Sequence, residues 1–193
     1  MRKPAPAEAP ILDVIAERWS PRAFDSERTM SAADLMPLFE AARWAPSASN
    51  SQPWRFVYAL RGEAAFDALL DAAVPGNRAW LKRAAALVYS FTQLQSDSGR
   101  VLGHGRHDTG LALGYLMLQA VANGFVVHPF AGFESDKVAT AVGIADGFEP
   151  VTGLAIGYGA DPAILGEGAA REMEPRTRRR VADFAFHGQW PSD

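Results

Sequence analysis

Amide side chains in a short polar segment give this sequence its first candidate chemistry. The stretch AARWAPSASNSQPWRF, residues 41–56, holds Asn50 and Gln52 between Pro46 and Pro53. Each amide offers two donors and one acceptor, which suits a flat ring with polar groups along its edge. The alternative is an ordinary turn in which the serine and asparagine residues only shape the backbone.

Arginines at alternate positions give a second candidate site. In RWSPRAF, Pro21 favours an extended backbone, which places Arg18, Ser20 and Arg22 on one side and Trp19 on the other. Two guanidiniums and a hydroxyl on one edge match the oxygens of a phosphate group. A pair of solvated surface arginines is the alternative interpretation.

A second basic run lies near the other end of the chain. It contains Arg176, Arg178, Arg179 and Arg180. The run is typical of a solvated terminus, and its other interpretations are a phosphate clamp or a weak contact with RNA. Since the formal net charge is -3, the chain has no general attraction to nucleic acid or to anionic membranes.

Composition places the chain among ordinary soluble proteins. Its 193 residues, 48% hydrophobic and 21% charged, suit one compact domain, 1–193. The absence of cysteine excludes a disulfide framework, a thiolate nucleophile and cysteine zinc ligands. The N-terminus is too charged for a signal peptide, and the apolar run at 84–89 is too short to cross a bilayer. We therefore expect a cytoplasmic protein.

Several common sites are missing from the sequence. No G-x-G-x-x-G follows a strand, and neither a P-loop nor a G-x-S-x-G motif occurs. His104 and His107 lie three residues apart without a third ligand, so we predict no metal site. His128, which precedes Pro129, is more typical of a packed strand end than of a general base.

Apolar periodicity predicts helices that alternate irregularly with strands. Helices are expected over 11–19, 31–45, 63–73, 104–123 and 134–144, with a turn and a short helical piece over 74–83, and strands over 54–58, 84–91, 125–133 and 149–159. Pro37 either kinks the second helix or marks a later start. Residues 92–103 are polar and could cover a site, 159–175 read as a loop, and 1–10 as a loose arm. This order predicts a central sheet covered by helices.

The helix over 104–123 is apolar around most of its circumference. Leu111, Tyr115, Leu118 and Ala122 form one stripe, and Gly124 supplies the stop. Gly110 and Gly114 would let another backbone approach closely. We expect this helix in the core or in a subunit interface, which makes a lone folded monomer unfavourable.

Taken together, these motifs resemble the flavin-dependent nitroreductase family. The motifs are RWSPRAF, AARWAPSASNSQPWRF, NRAWL at 77–81, HPFAGF at 128–133 and PRTR at 175–178. The first two are highly specific and the others are supportive, and together they cover about 11–190. The resemblance implies an α+β fold with three α/β/α layers around a mixed, mostly antiparallel sheet. It also implies a homodimer that exchanges terminal segments, including a C-terminal arm over 176–193, with one FMN at each of two interface sites.

The resemblance also implies the binding residues. Arg18, Ser20 and Arg22, with Trp19 in the same motif and with Arg176 and Arg178 from the tail, would hold the phosphate and ribityl chain. Pro46, Ser47, Asn50 and Gln52 would line the isoalloxazine from the partner subunit. Asn77 would contact the ring, and Pro129, Phe130, Ala131 and Gly132 would run past it. Ala131 stands where a branch active on nitroaromatic compounds carries a glutamate, so the cofactor follows from the resemblance and the nitro substrate does not.

FMN also explains why arginines gather at both ends of an acidic chain, since both groups can meet one phosphate dianion. We expect ping-pong hydride transfer from NAD(P)H to a small electron-poor acceptor such as a nitro compound, quinone or enone. The flavin carries the chemistry, so no catalytic side chain is named; Phe130, Trp44 and residues 92–103 would shape the substrate space. The alternatives are a flavoprotein without NAD(P)H turnover, used for flavin storage, redox sensing or flavin modification, and a small RNA-contacting protein.

Overall fold

The computed structural model describes residues 2–191. Met1, Ser192 and Asp193, which end the two predicted arms, lie outside the described residues. The helices are α1 (Asp13–Glu17), α2 (Ala32–Arg43), α3 (Ala64–Asp71), α4 (Pro75–Leu81), α5 (Gly105–Ala122), α6 (Ser135–Val142) and α7 (Ala169–Met173). The strands are β1 (Trp54–Leu60), β2 (Ala86–Gln93), β3 (Val126–Phe130) and β4 (Phe148–Gly157).

The strands form one sheet in the order β1-β2-β4-β3. Trp54 faces Thr92 across the first pair, and Phe130 faces Gly153 across the last. All three pairings are antiparallel, so no parallel pair makes the sheet mixed within residues 2–191. The predicted α+β class is confirmed. β1 and β3 form the two edges of the sheet, which decides where the candidate sites lie.

Alternation along β2 divides the core between the two faces of the sheet. Val88 points toward α2 and α5, where it packs with Leu38 and Leu116. Leu87 and Tyr89 point toward the other face, which α3, α4 and α6 cover. Successive residues of a strand point to opposite faces, and the continuous apolar character of β2 therefore fits a strand buried on both sides. The three-layer arrangement predicted for the chain is present.

The end of α2 and the start of β1 follow the sequence prediction. Ser31 begins the helix and donates from its backbone N–H and its hydroxyl to the Asp34 carboxylate at 2.7 and 2.8 Å. The helix continues through Pro37 and ends at Arg43, before Pro46. Pro37 therefore does not mark a later start.

The outward stripe of α5 corrects one expectation about packing. The chain buries Ala112, Leu113, Leu116 and Ala120, which form the inward face of the helix. Tyr115, from the stripe predicted for the core or an interface, is 45% exposed, so it lies outside the core of this chain and its place in an interface stays a prediction. A Cβ on Gly110 or Gly114 would meet no atom within 4 Å. The helix therefore buries one apolar face and leaves a second one at the surface of this chain.

Three segments contain structure that the sequence prediction did not place there. The strand predicted over 84–91 runs to Gln93, so Thr92 and Gln93 belong to the sheet. Residues 94–102 form a short loop that is closed by a bridge between Gln95 and Val101. The loop predicted over 159–175 contains a 3₁₀ turn at Pro162–Gly168 and then α7. The glycines and alanines of this segment give no apolar period, so the sequence pattern did not predict these short turns.

The two arms pack on each other. Val181 N–H donates to the Glu8 carboxylate at 2.9 Å, and the tail leaves Phe184 and Trp190 61% and 85% exposed. Among residues 2–191, no helix combines the length and apolar character needed to span a bilayer.

Candidate functional site

The segment from Arg18 to Arg22 is extended, as its proline predicted. It follows α1 and is held at its far end by the buried Phe24, which bridges to Gly159 beyond β4. Arg18 Nη1 donates to the Ser20 hydroxyl at 3.3 Å, so these two side chains share one side of the segment. We call Arg18, Ser20 and Arg22 the clamp. Trp19 instead lies under the Lys3 ammonium, 4.9 Å from its ring centre.

The arginines of the C-terminal tail meet the clamp. Arg176 Nη2 donates to the Arg18 carbonyl at 2.9 Å. Burial lowers the pKa of Arg18, and the charges of Arg176 and Arg178 lower it further. Burial and the charge of Arg178 likewise lower the pKa of Arg176. The structure therefore brings together basic residues that lie more than 150 positions apart in the sequence.

The guanidiniums of these arginines gather without forming ion pairs among residues 2–191. Within residues 2–191, no carboxylate oxygen lies within 4.0 Å of a side-chain nitrogen of Arg18, Arg22, Arg176 or Arg178. Arg43 and Arg106, by contrast, each contact a glutamate at 2.6 Å. Cations that are close together and unneutralised repel each other, and an anion placed between them removes that cost. The cluster therefore fits a multiply charged anion such as phosphate.

A cavity of about 860 Å³ lies beside this cluster. Its walls come from residues 5–9 of the N-terminal arm, from Ile11, and from the tail with Arg176, Arg178, Arg179, Val181 and Phe184. This volume lies within the usual range for small-molecule and cofactor sites.

His128 on β3 contacts the clamp segment and helps to hold its backbone. Its Nδ1–H donates to the Pro21 carbonyl at 2.9 Å, and its ring packs on Trp80 with centroids 4.5 Å apart. The Arg22 guanidinium lies over the same indole at 5.9 Å. Burial lowers the pKa of His128 to about 4; the hydrogen bond to Pro21 opposes this shift, and Arg22 and Arg18 reinforce it. His128 is therefore neutral at pH 7.

The neutral imidazole predicts a pH dependence of stability. In the unfolded chain His128 takes up a proton near pH 6.5, and in the folded protein only near pH 4. The unfolded state therefore binds the proton first, and stability present above pH 6.5 is lost as the pH falls toward 4, by at most about 3 kcal/mol. Urea unfolding at several pH values measures this. We expect His128→Gln to flatten the profile relative to wild type and His104→Gln, at an exposed position, to leave it unchanged; equal slopes in all three would contradict the assignment.

Polar groups predicted to contact a ring lie further along the β3 edge. Asn77, near the start of α4, donates from Nδ2 to the Gly132 carbonyl at 3.1 Å. A Cβ on Gly132 would lie 2.5 Å from the same nitrogen, so any larger residue here would displace the Asn77 amide. Pro129 is half-buried within β3 and Ala131 is exposed.

Phe130 does not shape an open space in this chain, contrary to the prediction. Its side chain is 6% exposed and meets the edges of Trp80 and Tyr89, with centroids at 6.1 and 5.6 Å. Its position in a strand turns the ring toward the core formed with α3, α4 and α6. Trp44, by contrast, is 69% exposed and donates to the Glu40 carboxylate at 2.9 Å.

The polar segment between Pro46 and Pro53, which we call the elbow, has a strained backbone. Ser49, Asn50 and Gln52 have φ values of 54°, 53° and 45°. Residues other than glycine rarely adopt this left-handed backbone region. Such residues each cost on the order of 1–3 kcal/mol and concentrate at functional sites. The Ser47 hydroxyl accepts from the Gln52 N–H at 3.1 Å and closes the elbow. Within residues 2–191 the Asn50 side chain makes no hydrogen bond, so its amide is available to a ligand.

Asp108 fixes the entrance of the elbow. It lies in the first turn of α5, is 3% exposed and accepts the Ala48 N–H at 2.9 Å. Its other oxygen is 3.0 Å from His107 Nδ1. The histidine pair considered for metal binding is thus adjacent to a structural carboxylate, and no group of three or more potential ligands occurs among residues 2–191.

The clamp and the elbow lie at opposite edges of the sheet. The elbow leads into β1, whereas Pro21 of the clamp segment contacts His128 on β3. Two strands separate these edges, and Trp54 and His128 lie toward opposite ends of the strands. Strand spacing and rise place the two regions on the order of 20 Å apart. A single chain therefore presents two half-sites rather than one closed pocket.

Sequence reasoning missed three supports of these half-sites. Asp108 could have been found as an acid in the first turn of a helix. Trp80 lies in the NRAWL motif, but nothing in the pattern places it under His128 and Arg22. Glu172, 4% exposed, accepts the Arg22 N–H at 3.1 Å and lies in a segment predicted to be a loop.

This geometry defines a class: a helix-covered antiparallel sheet with a phosphate-type cation cluster at one edge and an amide-bearing elbow at the other. The model of the nitroreductase family matches residues 15–102, which include the clamp and the elbow. A crystal structure described as an oxidoreductase containing FMN superimposes with a TM-score of 0.92 at 34% identity, and the match covers 98% of this chain and 97% of that one. The chain belongs to the nitroreductase family, as its motifs predicted.

Two sequence relatives agree with this assignment. An uncharacterized 15.4 kDa protein of Mycolicibacterium smegmatis is 34% identical over 97 residues, which are 50% of this chain and 65% of that protein. The chain thus spans slightly less than two thirds of that relative. YdgI of Bacillus subtilis strain 168, whose name provisionally assigns it as an NAD(P)H nitroreductase, is 26% identical over 190 residues, which are 78% of this chain and 89% of that protein.

Proposed function

We propose that this protein is an FMN-dependent oxidoreductase that passes electrons from NAD(P)H to a small electron-poor acceptor. The observation that carries the proposal is the cluster formed by the clamp with Arg176 and Arg178, whose guanidiniums form no ion pair among residues 2–191. The names of two relatives support the proposal. One solved structure is described as an oxidoreductase containing FMN, and YdgI carries the provisional name NAD(P)H nitroreductase. The acceptor class covers nitro compounds, quinones and enones.

The residues divide into a phosphate end and a ring end. Arg18, Ser20 and Arg22, with Arg178 from the tail, supply cations and a hydroxyl for the phosphate. Asn77 and the backbone of 129–132 flank the ring from the same chain. Pro46, Ser47, Asn50 and Gln52 complete the ring site from the partner subunit. When bound, FMN supplies the ring that accepts and donates the hydride.

The side chains bind and orient rather than exchange protons. His128 is the titratable side chain that contacts the clamp segment. Its Nδ1–H already donates to the Pro21 carbonyl. Its low pKa keeps it uncharged, so it does not add to the repulsion between Arg18 and Arg22. Two of the four tail arginines are already engaged, Arg176 with backbone carbonyls and Arg180 at 3.7 Å from Glu8, which weakens the case for a basic stripe that binds RNA.

A homodimer belongs to the same proposal. Half-sites at opposite edges can be combined by a two-fold axis, which builds two complete sites from two copies. The outward stripe of α5 and the exposed aromatic residues of the tail offer apolar surface for this contact. We place the protein in the cytoplasm, where a chain without cysteine needs no oxidising environment.

The dimer gives a prediction about α5. Tyr115 and Met36 are each 45% exposed, on α5 and α2 respectively. We expect Tyr115→Glu to convert the dimer to a monomer and to reduce bound FMN at least tenfold, since a carboxylate would be buried in an apolar interface. Light scattering after size exclusion and the ratio of flavin to protein absorbance measure both effects. Met36→Glu is the matched control, and equal behaviour of the two variants would contradict this interface.

The central test of the function is anaerobic reduction of the purified, FMN-loaded protein. Mixing with NADH or NADPH in a stopped-flow instrument is expected to bleach the flavin absorbance far faster than either nucleotide bleaches free FMN. Addition of a quinone is then expected to restore the colour.

The other outcomes separate the alternatives. Bound flavin without bleaching by either nucleotide would indicate storage, sensing or modification of flavin. Failure to bind added FMN would reject the cofactor itself.

A further inference from the structure

Arg176 differs from the other clustered arginines in how its donors are used. Its Nη1 donates to the carbonyls of Lys3 and Ala16, both at 2.7 Å, and its Nη2 donates to the Arg18 carbonyl at 2.9 Å. A guanidinium has five N–H donors, so three of them are engaged with backbone carbonyls. We propose that Arg176 is a positioning residue, which fixes the clamp backbone, rather than a residue that binds the phosphate directly.

The three carbonyls explain what Arg176 fixes. Lys3 belongs to the N-terminal arm, Ala16 lies near the end of α1, and Arg18 follows α1 as the first residue of the clamp. Four carbonyls near a helix C-terminus lack partners within the helix. Arg176 binds two of the carbonyls in this region and places its charge at the negative end of the helix. Its position thus sets where α1 stops and where the clamp begins.

Contacts around Arg176 tie the same segments together. The Ala16 carbonyl also accepts the Ala5 N–H at 2.8 Å, which holds the arm against α1. Lys3 Nζ donates to the Glu172 carbonyl at 2.7 Å, and the buried Glu172 carboxylate accepts the Arg22 N–H at 3.1 Å. The clamp is therefore held at its start by Arg176 and at its end by Glu172, both from the C-terminal part of the chain.

Arg178 lacks this engagement. It is exposed, and its guanidinium donates only to the carbonyl of its own neighbour, Thr177, at 2.7 Å among residues 2–191. It lines the cavity of about 860 Å³ and lies close enough to lower the pKa of Arg18. Arg178 therefore has free donors beside the clamp, and the two tail arginines have different tasks: Arg176 positions and Arg178 binds.

The first part of the test needs no cofactor. Hydrogen exchange of the FMN-free protein is measured for wild type, Arg176→Lys, Arg176→Gln, Arg178→Gln and the neighbouring control Arg179→Gln. Lysine keeps the charge but cannot reach three carbonyls in a fork. We expect both Arg176 variants to exchange the amides of residues 3–22 at least tenfold faster than wild type, and the other two variants to match wild type. Unchanged exchange in both Arg176 variants would overturn the proposal; if the glutamine variant does not fold, the lysine variant carries the test.

The second part measures FMN affinity and rests on the proposed function. We expect Arg176→Lys to weaken FMN binding at least tenfold, as Arg176→Gln does, because restored charge does not restore the clamp geometry. A lysine variant within threefold of wild type would show that Arg176 acts through its charge on the phosphate, which overturns the proposal. If wild-type protein binds no FMN, the proposed function fails, whereas the exchange experiment still decides the positioning role.

Discussion

Replacing Arg18 with glutamine is expected to weaken FMN binding about tenfold to a hundredfold and to leave riboflavin binding nearly unchanged. A charge-assisted hydrogen bond contributes about 1.5–3 kcal/mol, which corresponds to this range. Arg18 is half-buried beside two further cations, so screening by water is reduced. Its backbone carbonyl, which Arg176 holds, is retained in the variant. The loss therefore reports on the guanidinium and its phosphate partner.

Flavin fluorescence quenching in the FMN-free protein measures both affinities. Arg171→Gln is the matched control, since it removes an exposed arginine of α7 that does not line the cavity, and its FMN affinity is expected to stay within twofold of wild type. Riboflavin lacks the phosphate, so it separates a lost phosphate contact from a disturbed fold. An equal loss of affinity for FMN and riboflavin in Arg18→Gln would contradict a phosphate clamp.

The clamp could be predicted because its cause is local. Pro21 restricts the backbone of Ser20, an extended chain places alternate side chains on one side, and the arginines have few other uses in an acidic protein. The elbow could be predicted for a similar reason, since Pro46 and Pro53 limit it from both sides. The strain at Ser49, Asn50 and Gln52 was not visible, because several backbone paths join two prolines.

The supports of the clamp depend on contacts that periodicity does not encode. Glu172 meets Arg22 across 150 positions, and its helix is too short to show an apolar stripe. The sequence left open which face of α5 enters the core, because both faces are apolar, and only the packing of Leu113 and Leu116 against α2 and the sheet reveals which one the chain buries. Local pattern thus predicted the backbone course of the clamp and the elbow better than the residues that hold them.

Gly153→Ala is expected to destabilise the protein by about 3 kcal/mol, through a contact that links the core to the candidate ring site. A Cβ at Gly153 would lie 2.3 Å from Cζ of Phe130, the residue opposite it on β3. Phe130 cannot turn away easily, because Trp80, Tyr89 and Phe133 surround its ring. Overpacking of such a site forces the ring or the backbone to move. Urea unfolding measures the loss, and Gly76→Ala, where a Cβ would meet no atom within 4 Å, is the control.

The same clash predicts coupling between two substitutions. Phe130→Leu removes the ring atoms that the new methyl group would strike. The double variant is therefore expected to lose at least about 1 kcal/mol less free energy of unfolding than the two single variants lose together. Additive losses of unfolding free energy would show that the Phe130 ring is not the source of the destabilisation. The backbone that must yield in Gly153→Ala continues into Ala131 and Gly132, beside Asn77. FMN affinity is therefore expected to fall in Gly153→Ala even where the protein stays folded, because the strand that carries the core also carries the ring end of the site.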